Sequence, residues 1–334
     1  LFFENKKVLI IGGTGTIGKS LISNILKENP KFIKVLSRDE YKQFLLQNEM
    51  MDCHNLKYLI GDVRNYDCVY SAMKGVDYVF HTAAMKHVSS CENNPYEATL
   101  TNITGTNNVI KAAISQKVKK VVFTSSDKAI SPTNTYGATK LIAERLITSM
   151  DHSKGNGGTV FSSVRFGNIM GSRGSVIPLF KKQIVNNKKI TVTNLEMSRF
   201  MMTLTQATNL TIKALKESKG GETFVLKMPV IRLKDLLSVV MEETCKEYQL
   251  DYGEIQIQEI GLRPGEKMYE ELMTLDESIS SLEFTDMFMI PSNLRNLDLY
   301  EGARKAPKQT YSSENQKSLS KEEVRQLLKS EGLI

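Results

Sequence analysis

The chain lacks the features that would place it in a membrane or outside the cell. No apolar run in its 334 residues approaches the ~20 needed to span a bilayer. Leu1-Phe2-Phe3, before charged residues, is too brief for a secretion signal. The absence of an initiating methionine leaves upstream residues, a membrane segment included, open. Four cysteines, Cys53, Cys68, Cys91 and Cys245, show neither metal-ligand spacing nor a disulfide framework. That usage suits a reducing cytoplasm and predicts no metal site. The net charge of +7 comes from lysines spread along the chain without a basic–aromatic array, so no nucleic-acid partner is expected. A solvated surface accounts for most of it, and a diffuse positive field also attracts nucleotide anions. There is no internal repeat. The length suits one large α/β domain with a smaller lobe and is enough to bury a substantial core.

What is present begins with glycine. An apolar strand from Lys7 runs into Gly12-x-x-Gly15-x-x-Gly18, and Ile17, Leu21, Ile22, Ile25 and Leu26 follow at helical spacing. Glycines there permit a tight turn and let backbone N–H groups approach a pyrophosphate at a helix N-terminus. Gly12, Thr14, Gly15, Thr16, Ile17 and Gly18 are therefore the expected cofactor turn. A second strand, Phe32–Leu36, ends in Ser37-Arg38-Asp39-Glu40. An arginine at that tip accommodates the 2′-phosphate of NADP, whereas an acidic residue holds the ribose 2′-hydroxyl of NAD. Ser37 and Arg38 come first and favour NADP; Asp39 keeps NAD open. Asp62 and Val63 follow a third strand (56–60), with Asp62 suited to the adenine amino group. A fourth strand (77–84) ends in Ala83 and Ala84, small enough for a cofactor to pass, with Lys86 and His87 just beyond. His81, inside the apolar strand, reads as a core residue.

The densest chemistry is Ser125-Ser126-Asp127-Lys128, then Tyr136-Gly-Ala-Thr-Lys140. Tyr136 and Lys140 are one helical turn apart and can share a helix face. There an ammonium can lower the phenol's pKa by Coulomb attraction and hydrogen bonding. A hydroxyl from Ser125 or Ser126 completes a base for a sugar alcohol losing hydride. Asp127 and Lys128 add an acid and a second base that simple alcohol oxidation does not need, which points to an elimination.

Strands and helices alternate to about Met150, as a Rossmann-like, doubly wound parallel α/β sheet requires. Residues 1–165 read as an NADP-binding domain, with further main-sheet elements from about 195–227. Residues 166–194 and 228–300 read as a smaller α/β substrate-binding lobe. Residues 301–334 form a polar tail whose Ser320-Lys-Glu-Glu323 has the form of a capping box before a short helix; a docked helix and a loose terminus both fit.

In order, the chain carries Thr14-Gly-Thr-Ile-Gly18, Ala83-Ala-Met-Lys-His87, Ser126-Asp-Lys-Ala129, Tyr136-Gly-Ala-Thr-Lys140, Arg165-Phe-Gly-Asn168, Gly171-Ser-Arg-Gly-Ser175, Ser198-Arg-Phe200 and Arg263-Pro-Gly-Glu-Lys267. Over roughly residues 5–275 this set resembles the extended short-chain dehydrogenase/reductases, in the polysaccharide-biosynthesis branch of UDP-N-acetylglucosamine 4,6-dehydratases and related C4 epimerases. The likeness is nearest to the C5-inverting dehydratases of pseudaminic acid synthesis. It implies UDP-N-acetylglucosamine as substrate, tightly held NADP, and a homo-oligomer. Tyr136, helped by Lys140 and Ser126, would oxidise C4. Lys128, its pKa depressed by desolvation and the cations Lys140 and Lys86, would take the C5 proton. Asp127, protonated, would release the 6-hydroxyl as water, and hydride would return to C6. Lys86, Asn168, Arg173, Val176, Arg199, Arg263 and Glu266 would hold the nucleotide sugar, although Arg199 equally suits a structural pair and Glu266 a loop.

Glu196 departs from the resembling enzymes, which often carry arginine there. Retaining relatives commonly have methionine where Tyr136 stands, which favours inversion. A C4 epimerase and a 5,6-ene-forming dehydratase are the nearest alternatives. An NADP-binding sensor without catalysis is the remote one.

Overall fold

A computed structural model describes residues 1–153, 158–172, 174–292 and 300–334. The first half follows a strict strand–helix alternation: β1 (Lys7–Ile11), α1 (Thr16–Leu26), β2 (Phe32–Ser37), α2 (Glu40–Glu49), β3 (Leu56–Ile60), α3 (Tyr66–Ala72) and β4 (Tyr78–His81). Two short helices, α4 (Val88–Asn93) and α5 (Pro95–Thr99), lead through a π-turn into α6 (Gly105–Ser115). Then come β5 (Lys120–Ser126), a 3-10 turn (Asp127–Ala129), α7 (Thr135–Ser153) and β6 (Val160–Phe166).

Buried residues alternate sides along these strands, as the pleat dictates. Val8 and Ile10 pack with α1 on one face, while Leu9 and Ile11 pack with α3 and α6 on the other. Burial on both faces explains why the strands read as unbroken apolar runs. From β3 the sheet runs β2, β1, β4, β5, β6 and β10 (Thr223–Leu226), all parallel. The register brings Ile11 beside both Leu36 and His81. The carboxyl ends of β1, β2 and β4 therefore meet where the strand order reverses, the usual ligand crevice of such sheets.

The second half is less regular. β7 (Asn168–Ile169), α8 (Val176–Asn187), β8 (Lys189–Val192), β9 (Ser198–Met202) and α9 (Leu204–Glu217) precede β10. β11 (Val230–Arg232), α10 (Leu233–Tyr248), β12 (Gln256–Glu259), β13 (Glu271–Met273) and α11 (Leu275–Ser280) follow it. β14 (Leu282–Glu283), β15 (Met287–Ile290), β16 (Arg304–Lys305), β17 (Tyr311–Ser312) and α12 (Lys321–Ser330) complete the described elements. Two placements differ from the sequence reading. β15 and β14, grouped there with the lobe, extend the main sheet antiparallel beyond β10. β9, placed there with the main sheet, pairs instead with β7 and β11 in a small sheet of its own. The lobe has a separate core around Ile177, Phe180, Leu237 and Val240.

The tail is ordered rather than irregular. Ser320 and Glu323 form the capping box, and Val324 and Leu328 bury themselves in the lobe core. Arg325 bonds Glu242 at 2.7 Å and also Glu243, which pins α12 to α10.

Arg165 is the largest wholly buried side chain and ties three elements. Its guanidinium donates to Glu144 of α7 at 2.6 and 3.1 Å, to Glu277 of α11 at 2.7 and 2.8 Å, and to the Leu272 carbonyl at 2.9 Å. Arg165→Met should strand two carboxylates and cost about 3–5 kcal/mol, measured by urea denaturation. A loss below about 1 kcal/mol would show that the cluster is not a fold determinant.

Candidate active site

A cleft of about 970 Å³ lies along the carboxyl ends of the parallel strands. Its floor is the glycine turn. Gly12 has φ +86°, and a Cβ there would sit 2.7 Å from the Ala83 amide nitrogen. A Cβ on Gly18 would lie 2.5 Å from the Gly13 Cα. Only hydrogen fits at either position. Gly15 caps α1, whose first turn holds no acidic residue, so the helix end presents open N–H groups to an anion. Thr14, Thr16, Ile17, Ala83 and Ala84 line the same groove. Farther along, the hydroxyls of Thr101 and Ser125 are buried without a partner among the described residues, and both residues line the cleft. A dinucleotide's polar groups suit such orphaned atoms.

At the β2 end, Ser37, Arg38, Asp39 and Lys42 form the rim. Asp39 caps α2, accepting from the Lys42 amide at 3.0 Å, and pairs with the Lys42 ammonium at 2.5 Å. Asp62 accepts from Arg64 Nε and Nη2 at 2.9 and 2.7 Å. Burial pushes its carboxyl up, but the Arg64 bonds win and hold it below the usual range. Arg38 is mostly exposed, with its guanidinium 3.9 Å from Asp62. Both acids at this rim therefore have cationic partners, and Arg38 is the group presented to solvent. Val63 and Lys86 line the groove.

The reacting end gathers Ser126, Asp127, Lys128, Tyr136 and Lys140. β5 ends at Ser126, whose Oγ donates to Asp127 Oδ1 at 2.8 Å and caps the 3-10 turn. The same carboxylate oxygen accepts from the Lys128 amide at 2.8 Å and from its ammonium at 3.1 Å. The Tyr136 phenol is near enough to Ser126 for that hydroxyl to oppose the rise of its pKa. His81, a core residue as expected, is bonded to Thr106 at 3.0 Å and held neutral by burial, its pKa down at about 3.

Two electrostatic expectations are corrected. Lys140 does not act on the tyrosine in this arrangement. Its ammonium donates to the Thr124 carbonyl and lies 4.0 Å from the Phe123 ring centroid. Burial lowers its pKa to about 7. Burial also raises the Tyr136 phenol, opposed by Ser126 and by the charge of Lys128 rather than Lys140. The second correction concerns Lys128. Desolvation does pull its pKa down, but Asp127 and a further carboxylate, Glu270, outweigh it, so the net shift is upward.

Glu270 had gone unnoticed in the sequence. It is buried, with Oε1 3.5 Å from the Lys128 ammonium and 4.0 Å from Arg199 Nε. The only hint was its place just after Arg263-Pro-Gly-Glu-Lys267.

Among the expected substrate residues, Lys86, Asn168 and Val176 line the cleft, Val176 opening α8 beside it. Arg199 does not line it: its guanidinium donates to the Ser198, Lys267 and Met268 carbonyls. Arg263 and Glu266 also lie off the cleft wall, with Glu266 accepting from the Arg263 amide at 3.3 Å. Arg173 falls outside the described residues. Glu196, at the departure from the family pattern, pairs with Lys234 at 3.1 Å on the exterior.

The family model described as "Polysaccharide biosynthesis protein" matches residues 8–292. The chain belongs to that family. Its Rossmann-like sheet is that of the short-chain dehydrogenase/reductases. It is similar to the X-ray structure of Pen from Bacillus thuringiensis at 65% identity and a TM-score of 0.95, covering 100% of both chains. An uncharacterized membrane protein of Methanocaldococcus jannaschii is 44% identical over 98% of this chain and 96% of its own length. A UDP-glucose 4-epimerase of Rickettsia rickettsii is 39% identical over the same shares. Among the described residues no helix is long and apolar enough to cross a membrane.

Proposed function

We propose that this enzyme is an NADP-dependent 4,6-dehydratase of UDP-N-acetylglucosamine, forming a UDP-4-keto-6-deoxy-hexosamine with inversion at C5. One observation carries the reading: a buried Asp127 paired with the part-buried Lys128 at the end of β5, bonded to Ser126 and lining the same cleft as Tyr136. Epimerisation at C4 needs only one proton acceptor at O4. A second acid and base beside it suit loss of water across C5 and C6.

A bound nicotinamide supplies a hydride acceptor that also serves as the donor. The chain's residues do the proton work. Tyr136 takes the O4 proton, with Ser126 holding the same oxygen. Lys140, one helical turn from Tyr136, holds the Thr124 carbonyl at the end of β5. Lys128 takes the C5 proton, activated by the resulting ketone. Asp127 must enter the step protonated; it gives that proton to O6 as water leaves and is left as the carboxylate. Asn168, Val176 and Lys86 line the part of the groove assigned to the UDP-sugar. Inversion rests on Tyr136, where retaining relatives carry methionine.

The alternative is a C4 epimerase, favoured by the name of the Rickettsia relative. Incubation with UDP-N-acetylglucosamine in D2O separates the two. The dehydratase reading expects loss of one water by mass spectrometry and a new 6-methyl proton signal, whose couplings report C5. A product of unchanged mass with an axial 4-hydroxyl would establish the epimerase.

For the cofactor, exposed Arg38 with Lys42 beside it supports NADP. Arg38→Ala should raise the Kd for NADP by roughly tenfold while changing that for NAD less than threefold, read by calorimetry. Equal weakening of both would reject the phosphate assignment.

A further inference from the structure

We propose that Glu270 is a positioning residue for the elimination, the proton partner through which Lys128 becomes a neutral base. The inference rests on the dehydratase reading given above and goes beyond it.

Lys128 presents a problem for any mechanism that uses it as a base. Its ammonium lies between two carboxylates, Asp127 at 3.1 Å and Glu270 at 3.5 Å. Such a pair keeps the proton on nitrogen. A route for that proton must exist inside the protein, because Lys128 is about three-quarters buried.

The two carboxylates are not equivalent. Asp127 Oδ1 already accepts from Ser126 Oγ, the Lys128 amide and the Lys128 ammonium. Glu270 is buried to 3% exposure, and its Oε2 has no hydrogen-bond partner among the described residues. Burial lifts its carboxyl pKa although Lys128, Arg199 and Lys267 pull the other way and Asp127 adds to the rise. An oxygen with no donor, in a desolvated site beside a lysine, is a natural place for a proton.

The step balances simply. An N–H bond of Lys128 breaks, an O–H bond of Glu270 forms, and the ion pair becomes a neutral amine beside a neutral acid. No electrons leave the pair, so the nicotinamide is untouched. Lys128 can then accept the C5 proton.

The backbone holds Glu270 for this task. Its amide donates to Ser313 Oγ at 3.0 Å, and the Ser313 amide donates back to its carbonyl at 2.8 Å. Arg199 and Lys267 face it from β9 and the preceding loop, Asp127 and Lys128 from the 3-10 turn. Tyr136 adds to the charges around Lys128.

Glu270→Gln keeps the shape and removes the proton acceptor. Expected at pH 7 is a fall in kcat of roughly a hundredfold, with KM for UDP-N-acetylglucosamine changed less than threefold. Removing an anion beside Lys128 also lowers its pKa. Activity of the variant should therefore climb as pH rises from 7 to 9.5, while the wild type stays nearly flat. Glu270→Asp should recover part of kcat at pH 7. Retained NADP binding and an unchanged urea midpoint separate this from unfolding. A wild-type kcat and pH profile in Glu270→Gln, or a loss that raised pH does not relieve, would overturn the role of Glu270 alone. A wild type that removes no water would instead remove the dehydratase reading and this inference with it.

Discussion

Lys128→Ala is expected to lose about a thousandfold in turnover while still binding cofactor and nucleotide sugar. Lys128 is part-buried beside Asp127 and Glu270, and among the described residues no other lysine forms an ion pair with either. Oxidation at C4 does not need it. The variant should therefore show a burst of reduced-nicotinamide absorbance near 340 nm, about one per active site, that decays slowly or not at all. Deuterium from D2O should no longer enter C5. Rapid-scan absorbance with NMR of the quenched sugar measures both. Unchanged turnover removes Lys128 from the mechanism; loss of the burst as well would place it in the first oxidation.

Tyr136→Phe should fail one step earlier. The ring keeps its packing with Cys91 and Ala98, so the fold should hold. Without the hydroxyl nothing is positioned to take the O4 proton, and the absorbance burst should fall by about a thousandfold along with turnover. The contrast is the useful part: one variant stops after oxidation, the other before it. A Tyr136→Phe enzyme with a normal burst would shift the first base elsewhere, with Ser126 and Lys140 the nearest candidates.

The features legible in the sequence were those set by neighbours along the chain. Gly12 and Gly18 announced their turn because hydrogen alone fits there. Tyr136 and Lys140 were paired by one helical turn, and Asp127 and Lys128 by adjacency. Helix α12 was visible in its capping box.

What stayed hidden depends on chain segments that return from far away. Glu270 reaches Lys128 only because the loop before β13 returns to the 3-10 turn and the residues after it. Arg199 looked fit for a diphosphate, yet that same loop supplies carbonyls which occupy its guanidinium. Lys140 carried the right spacing but turned to the Thr124 carbonyl, a choice set by the path of β5 beneath it. The expected depression of the Lys128 pKa failed for the same reason: desolvation was legible in the apolar surroundings, and the second carboxylate was not. β14 and β15 were misplaced because short antiparallel additions to a sheet edge carry no signature that separates them from lobe strands.

The central claim is that hydride taken from C4 returns to C6 of the same sugar. UDP-N-acetylglucosamine carrying deuterium at C4 tests it directly, in ordinary water, with the product read by NMR and mass spectrometry. The account predicts a 4-keto product with the deuterium in its 6-methyl group. Deuterium restored to C4 of an epimerised sugar, or an unsaturated product whose methyl never forms, would contradict it.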